Sequence, residues 1–357
     1  MSSPLNSKSK KLKIALCIIS SIVIVVLSVL AYLYNSLGKF NTVKLPSSNE
    51  ELGIGKVVSD DSKEETIENN EYLNGGTITG YESDNSILNI ALFGIDTGRE
   101  KTDPPHSDSI IIATIDKQHN KIKLTSIMRD TYVNVSRHGR TKINEAYTYG
   151  GSLLAIKTLN ENFGLDIKNY VTVNFFSLEK IIDVLGGVEI TIKDYETDEI
   201  NKWIMEVADL EGKSPPIIWE PGTYRLNGLQ AVAYSRMRKV GGGDFERSER
   251  QRRVLTELFK ELQSKGIYKY PTIASEVFPL IETSLTKSDI INAGAFIVSS
   301  GISNIEQQRF PLDGYCKGEI INSTWYLVPK PNLSVTSKQL RDYIYEDIKP
   351  KSKKPLF

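Results

Sequence analysis

A run of 21 uncharged, mostly apolar residues at 14–34 constrains this chain more than any other feature. The run reads IALCIISSIVIVVLSVLAYLY, and a helix of this length crosses a hydrocarbon core of ~30 Å. Four lysines lie between residues 8 and 13, and no comparable cluster follows the run. Because positive charge marks the cytoplasmic side, we predict a cytoplasmic N-terminus at 1–13, a transmembrane helix at 14–34 and export of the remainder.

A cleaved signal peptide is the alternative for this segment. Its apolar part is normally about 7–15 residues long and ends at a small-x-small cleavage site. The run here is longer and ends in Leu-Tyr-Asn, which favours an anchor. The sequence therefore predicts a single-pass protein of the cell membrane whose C-terminal domain is extracellular.

Overall charge and residue usage exclude several classes of function. The chain has 44 basic and 44 acidic residues, so its formal net charge is zero and nothing attracts it globally to nucleic acid. Its two cysteines, Cys17 and Cys316, form no CxxC motif, and its three histidines are scattered. Disulfide scaffolds, zinc sites and Ser-His hydrolases are therefore disfavoured. Any electrostatic site must be local.

The exported part divides into three segments. Residues 35–86 are polar and acidic, and we predict a stalk there because such a stretch buries too little apolar surface to fold. Short apolar runs at 87–96 and 109–116 predict buried strands, and 121–135 predicts a hairpin partner. Helical patterns at 150–164 and 176–185 alternate with further strands. We expect an α/β fold over 87–345, a three-layer α-β-α sandwich with a mixed central sheet, and a tail at 346–357.

A helix predicted from Asp244 places polar residues on its inward face. The apolar stripe that includes Val254 and Leu258, when extended backwards by threes and fours, passes through Gln251, Arg247 and Asp244. Burying an unpaired arginine is costly, so these positions suggest a site. We expect the pairs Glu246–Arg250 and Glu249–Arg253, at i, i+4 spacing, to lie on the outer surface.

Arginines and glycines precede this helix. Arg236 and Arg238 are two residues apart, and in an extended segment both would project to one face. Gly241 to Gly243 would then let the chain turn back towards the start of the helix. Arginines beside a helix N-terminus suit phosphate oxygens. A structural arginine–carboxylate network around Asp244 remains the alternative, because guanidinium groups match either anion.

Carboxylates at strand ends complete the pattern. Asp96 ends the first predicted strand and Asp108 begins the second, so both lie where α/β sheets place ligands. Two carboxylates near phosphate suit Mg²⁺. For Asp96 a role in a turn is an equal alternative. Arg129 closes a strand beside Asp130 and adds another cation at a strand end.

The ordered motifs of residues 89–255 resemble the LytR-CpsA-Psr family. The matching stretches include NIALFGIDTG (89–98), SDSIIIATID (107–116), KIKLTSIMRDTYVNV (121–135), KINEAYTYGG (142–151) and GDFERSERQRRVL (243–255). The resemblance implies a membrane-anchored phosphotransferase of the Gram-positive envelope. Such enzymes move an anionic glycopolymer, such as wall teichoic acid or capsule, from a polyprenyl-pyrophosphate carrier to peptidoglycan with Mg²⁺. The implied partners are the carrier-linked polymer, peptidoglycan and the cell membrane, with no nucleic acid.

The same resemblance assigns roles to individual residues. It implies metal-associated aspartates at Asp96 and Asp108. It implies a phosphate-binding set at Arg129, Arg236, Arg238 and Arg247, with Asp244 and Gln251 in the same motif. His106 stands where the family usually has arginine, so one phosphate contact is either weakened or supplied by Arg99.

The predicted reaction is attack by a glycan hydroxyl on the phosphoryl group next to the glycopolymer, with release of polyprenyl phosphate. Asp96 or Asp108 would accept the hydroxyl proton, and the sequence does not choose between them. Two other functions stay open. One is an exported pyrophosphatase that uses water as acceptor, and the other is a non-enzymatic envelope regulator that only binds anionic polymer.

Overall fold

The computed structural model describes residues 41–55, 86–96 and 105–356, and a mixed β-sheet forms its centre. The strands of these ranges, in chain order, are β1 (Asn41–Thr42), β2 (Ile87–Asp96), β3 (His106–Asp116), β4 (Lys121–Ile127), β5 (Tyr132–Val135), β6 (Gly139–Lys142), β7 (Asn169–Asn174), β8 (Val188–Ile192), β9 (Gly222–Leu226), β10 (Glu282–Thr283), β11 (Ile305–Phe310), β12 (Cys316–Ile321) and β13 (Thr324–Pro329). Seven strands form the central sheet in the order β1-β10-β7-β2-β3-β4-β11, and β5-β6, β8-β9 and β12-β13 form separate pairs. β2 runs parallel to β7 and antiparallel to β3.

Helices cover both faces of this sheet. In chain order they are α1 (Glu145–Phe163), α2 (Phe175–Leu185), α3 (Thr197–Glu211), α4 (Gly228–Arg236), α5 (Asp244–Ser264), α6 (Tyr270–Val277), α7 (Lys287–Ser300) and α8 (Leu333–Tyr345). α1 and α8 share a core with Phe93 and Ile127 of the sheet. α5 lies on the opposite face, because its Arg252 donates to Ser126, which points away from Ile127. The predicted α/β fold with a mixed central sheet is confirmed.

A second core holds α5 in position. It joins α2, α3, α4 and α5 to the β8-β9 pair through buried side chains that include Ile182, Ile200, Val232 and Val254. α5 is the helix that carries the predicted inward-facing Asp244, Arg247 and Gln251. Apolar packing further along α5 therefore fixes the position of this helix on its face of the central sheet.

The stalk predicted over 35–86 is wrong for residues 41–55. β1 pairs with β10 in the central sheet. Leu52 is only 2% exposed and belongs to the core shared with α1. The side chain of Asn160 in α1 also donates to the Leu52 carbonyl at 2.8 Å. A few apolar residues and a short strand are enough to dock this polar segment on the domain, and the average composition of 35–86 concealed them.

Two other predicted elements have different bounds. The helix predicted at 150–164 begins at Glu145, and non-helical dihedrals at Gly150 and Gly151 break it near its start. The predicted hairpin partner over 121–135 is two strands, because β4 ends at Ile127 and β5 pairs with β6 instead. The tail predicted from residue 346 remains attached through Asp347, which accepts a hydrogen bond from Lys121.

The predicted anchor at 14–34 lies outside the described residues. Within the ranges that the structure describes, no helix is both long enough and apolar enough to cross a bilayer.

Candidate anion-binding site

A β-bulge lies at Asp108. Gly94 of β2 pairs with Ser109 of β3, but the next residue, Ile95, pairs with Ser107. Asp108 is thus the extra residue between two ladder pairs, and such a bulge re-aims a side chain. Asp96, the last residue of β2, pairs with His106, so the two predicted metal-associated aspartates lie at the same edge of the sheet. This is the edge at which the parallel strands β2 and β7 end.

Three arginines converge on the Asp108 carboxylate. Its Oδ1 accepts from Arg129 Nη1 at 2.5 Å, and its Oδ2 accepts from Arg238 Nη2 at 2.9 Å and from Arg247 Nη2 at 3.2 Å. The side chain of Arg247 is 3% exposed, so most of this contact is shielded from water. Arg129, Arg238 and Arg247 come from three separate segments of the chain, and the structure brings them together as the sequence predicted.

The charged groups of this cluster shift one another's pKa values. Burial alone would raise the pKa of Asp108, but Arg247, Arg129 and Arg238 outweigh it and hold that pKa well below its usual range. Burial lowers the pKa of Arg247 to about 10, because Asp108 only partly offsets the desolvation and the repulsion from the other two arginines. Asp108, Arg129 and Arg247 are therefore charged at neutral pH.

Acidification is expected to destabilise the protein partly through Asp108. A carboxyl group whose pKa is lower in the folded chain stabilises the fold above its unfolded pKa of about 4, and this contribution is lost as pH falls below that value. Urea unfolding midpoints measured between pH 7 and pH 3 should fall more steeply for the unmodified protein than for Asp108→Asn. Equal slopes would contradict this assignment.

Several polar atoms of the cluster have no hydrogen-bond partner in the described part of the chain. They are the Nε atoms of Arg129, Arg238 and Arg247, together with Oδ1 of Asp244. That Oδ1 atom lies 3.6 Å from Arg129, 3.8 Å from Arg238 and 3.7 Å from Arg247, which is too far for hydrogen bonds. Buried polar groups are nearly always paired, so these atoms are available to water or to a bound anion.

A small cavity of about 20 Å³ adjoins the cluster. Its polar lining includes Asp108, Arg129, Asp244, Arg247 and Gln251. This volume accommodates about one water molecule. Asp244, Arg247 and Gln251 therefore share one face of α5 and meet the arginine cluster, as their helical spacing predicted.

Arg236 does not join the cluster. It is the last residue of α4, and the extended backbone begins only at Met237. Its guanidinium is buried between the rings of Phe175, at 4.8 Å, and Trp203, at 4.7 Å, and it binds Glu206 at 3.3 Å. The prediction that Arg236 and Arg238 project to one face is wrong, because the helix end falls between them.

Arg250 is buried rather than on the outer surface. Its side chain is 1% exposed and binds Glu196 at 2.9 Å and Glu246 at 3.1 Å. The predicted Glu246–Arg250 pair therefore forms, but the segment that carries Glu196 covers it. The Glu249–Arg253 pair forms at 2.8 Å on a partly exposed face, as predicted.

The glycine turn between Arg238 and α5 is required by its backbone. Gly241 and Gly243 both have φ of +63°, a region that favours glycine. Glu246 fixes this turn by accepting from the Gly242 amide at 2.8 Å, and a Cβ atom on Gly241 would lie 1.5 Å from its carboxylate. The turn thus brings Arg238 and Arg247 to the same carboxylate.

Arg252 is a buried cation that the sequence analysis missed. It donates to Ser126 at 2.6 Å and to Ser248 at 3.4 Å, two serines that line the small cavity. Among the described residues no carboxylate lies within ion-pair distance of Arg252, and burial lowers its pKa to about 10. Its charge adds to the positive potential behind the cavity. The i, i+4 spacing of Ser248, Arg252 and Thr256 along α5 is the sequence pattern that could have indicated this buried polar face.

Arg99 and His106 are the residues considered for one further phosphate contact. Arg99 lies outside the described residues. The ring of His106 lies beside α1, where its Nδ1 is 2.9 Å from the hydroxyl of Thr148.

Arginines with unsatisfied N–H groups, gathered at one edge of an α/β sheet, form the kind of site that suits a phosphorylated anion. The particular kind follows from comparison with known proteins. The LytR_cpsA_psr family model matches residues 49–342, and this chain belongs to that family.

Named relatives and a solved structure agree with this assignment. The Bacillus subtilis polyisoprenyl-teichoic acid–peptidoglycan teichoic acid transferase TagT is 29% identical over 74% of this chain and 77% of its own. The Staphylococcus aureus regulatory protein MsrR is 27% identical over 73% of this chain and 75% of its own. A structure of YwtF (TagT), a Bacillus subtilis protein, with bound octaprenyl pyrophosphate lipid has a TM-score of 0.54 and 25% identity, covering 72% of this chain and 90% of that one.

Proposed function

We propose that this protein is a membrane-anchored phosphotransferase that attaches an anionic glycopolymer to peptidoglycan from a polyprenyl-pyrophosphate carrier. The observation that carries the proposal is the set of three buried arginine Nε–H groups around Asp108 that make no hydrogen bond, although that of Arg129 lies 3.4 Å from Asp130. Pyrophosphate oxygens are strong acceptors for such donors. TagT is named as a transferase of this kind, and the matching YwtF (TagT) structure holds a polyprenyl pyrophosphate.

In the proposed reaction a sugar hydroxyl of the acceptor attacks the phosphorus next to the glycopolymer. A new P–O bond forms while the bond to the carrier's phosphate breaks, and polyprenyl phosphate leaves with the electron pair. Arg129, Arg238 and Arg247 stabilise the charge that develops on the phosphoryl oxygens. Because these donors are already held in place by Asp108, little reorganisation is needed when the substrate arrives.

The hydroxyl proton needs an acceptor, and Asp108 is a poor one. Its pKa lies well below the usual range, so it holds a proton weakly at neutral pH. Its contacts instead fix the orientation of the three arginines. Asp96, at the end of β2, is therefore the remaining candidate base, through the carboxylate oxygen that does not hold a metal ion.

Magnesium fits this site as part of the proposal. No group of three or more candidate metal ligands occurs among the described residues. Mg²⁺, however, commonly uses only one or two protein carboxylates and takes its other ligands from phosphate and water. Asp96 and Asp108 would hold the ion, and Asp244 offers a buried oxygen without a hydrogen-bond partner nearby. Bound there, Mg²⁺ would neutralise charge on the pyrophosphate.

The proposal is tested with the purified full-length protein in nanodiscs, a lipid-linked glycopolymer, peptidoglycan and Mg²⁺. Transfer predicts polymer covalently attached to peptidoglycan and one polyprenyl phosphate released per polymer. Release of phosphate products without attachment would support a pyrophosphatase instead. No chemical change, together with retained polymer binding, would support a regulator, the role for which the relative MsrR is named.

A further inference from the structure

The direction of β1 shows where the chain enters the domain. β1 runs parallel to β10, with Asn41 beside Glu282, and β10 runs antiparallel to β7. β7 in turn runs parallel to β2, with Asn174 beside Ile95. β1 therefore begins at the edge where β2 and β7 end. Asp96, Asp108 and the arginine cluster lie at this same edge.

The chain between the predicted anchor and this edge is short. Only residues 35–40 separate the end of the apolar run at Tyr34 from Asn41. Fully extended, that distance is at most about 25 Å. β1 and β3 are four strand positions apart, which is about 19 Å across the sheet. The tether is thus about as long as the distance from β1 to the arginine cluster.

The opposite edge of the sheet is further from the tether. α5 begins at Asp244 beside the cluster and has 21 residues, a length of about 31 Å. Near its end, Gln263 donates to the carbonyl of Ile302, which precedes β11. β11 pairs in parallel with β4, so this end of α5 lies where β4 begins and not where it ends. Tyr268, 77% exposed, follows α5 at this distal edge.

The edge that bears Asp108 and the arginine cluster also exposes side chains that suit a bilayer surface. Phe176 is 38% exposed in the first turn of α2, two residues after β7 ends. Tyr149 is 46% exposed beside Thr148, the neighbour of His106. Lys239, next to Arg238, is exposed as well. Tyrosine rings are enriched at membrane–water interfaces, but Tyr268 and Lys269 at the distal edge are exposed as well. The direction of β1 and the short tether therefore decide between the two edges.

We infer that the edge of the sheet that bears Asp108 and the arginines is the surface that this protein presents to the lipid bilayer, held there by a tether of residues 35–40. This orientation rests on the proposed membrane anchor. Residues 56–85 do not set the distance to the membrane, since the segments on either side, 41–55 and 86–96, are both docked on the domain.

The test uses the full-length protein in liposomes with a fluorescent acceptor lipid. Cys17→Ser removes one native thiol, and Cys316 is buried. A donor dye is attached to Phe176→Cys or, as the matched control at the distal edge, to Tyr268→Cys. We expect more efficient energy transfer to the lipid from position 176 than from position 268. Equal transfer, or the reverse order, overturns the orientation.

Two insertions of the same 20-residue Gly/Ser sequence then test the tether. One follows Leu37 and the other follows Gly75. The first lengthens the tether from 6 to 26 residues, which lowers the effective concentration of the domain at the membrane on the order of ninefold. Energy transfer from position 176 and polymer transfer should both decrease. The second insertion should change neither, and equal losses from both insertions would restore the stalk interpretation.

Alkaline carbonate extraction separates failure of the orientation from failure of the anchor. If carbonate releases the protein from the liposomes, the anchor and the orientation both fail. If the protein stays with the lipid but position 268 is nearer to it, only the orientation fails. Polymer transfer by the protein without insertions is scored independently, so its absence refutes the proposed reaction and not the orientation.

Discussion

Replacing Arg247 with methionine is expected to lower kcat/KM for polymer transfer by about 10²–10³. Arg247 is the most buried of the three arginines that bind Asp108, and its unpaired Nε–H is a preformed donor for a phosphoryl oxygen. Methionine retains much of the side-chain volume but removes the charge and every donor. Steady-state kinetics with lipid-linked glycopolymer and peptidoglycan measure the effect.

The control for this substitution is on the same helix. Arg253→Met also removes a guanidinium, but Arg253 lies away from the cluster, where it pairs with Glu249 and donates to the hydroxyl of Tyr234. It should leave kcat/KM within about twofold, because its partly exposed ion pair contributes little and neither contact reaches Asp108. Thermal unfolding of both variants shows whether the fold is kept. Comparable losses of kcat/KM in the two variants would refute the specific role of Arg247.

Replacing Arg250 with methionine is expected to decrease the free energy of unfolding by about 3–5 kcal/mol. Arg250 and Glu196 form a buried ion pair, and Arg250 also binds Glu246. Removing the arginine leaves the fully buried Glu196 without its cation. Urea unfolding of the full-length protein in detergent micelles measures the loss.

The double variant Arg250→Met, Glu196→Gln separates a structural ion pair from a substrate contact. Removing both charges should restore part of the stability, because no uncompensated buried charge remains. It should also restore kcat/KM if Arg250 acts only through the fold. A double variant that regains stability but not activity would assign Arg250 to the site.

The sequence predicted those site residues whose positions depend on one regular element. Asp244, Arg247 and Gln251 follow from the period of α5, and the glycine turn then brings Arg238 to the same place. The prediction failed where contacts from elsewhere in the chain decide burial. Arg250 is buried because the segment around Glu196 covers it, and no local pattern indicates that contact.

The errors at Arg236 and in the stalk have similar causes. A helix end between Arg236 and Arg238 reverses the expected relation between their side chains, and helix ends are the least certain features of a sequence-based prediction. Docking of residues 41–55 depends on the two-residue strand β1 and on Leu52, which are too short a signal to outweigh a polar surrounding segment.

The bulge at Asp108 makes the site sensitive to the number of residues in β3. Ile110 and Ile112 point into the core shared with α1, and regular alternation along β3 would turn Asp108 to that same apolar face. The extra residue allows its carboxylate to reach Arg247 of α5 instead. Loss of a single residue at the bulge would therefore direct the carboxylate towards the apolar face and separate it from the arginines.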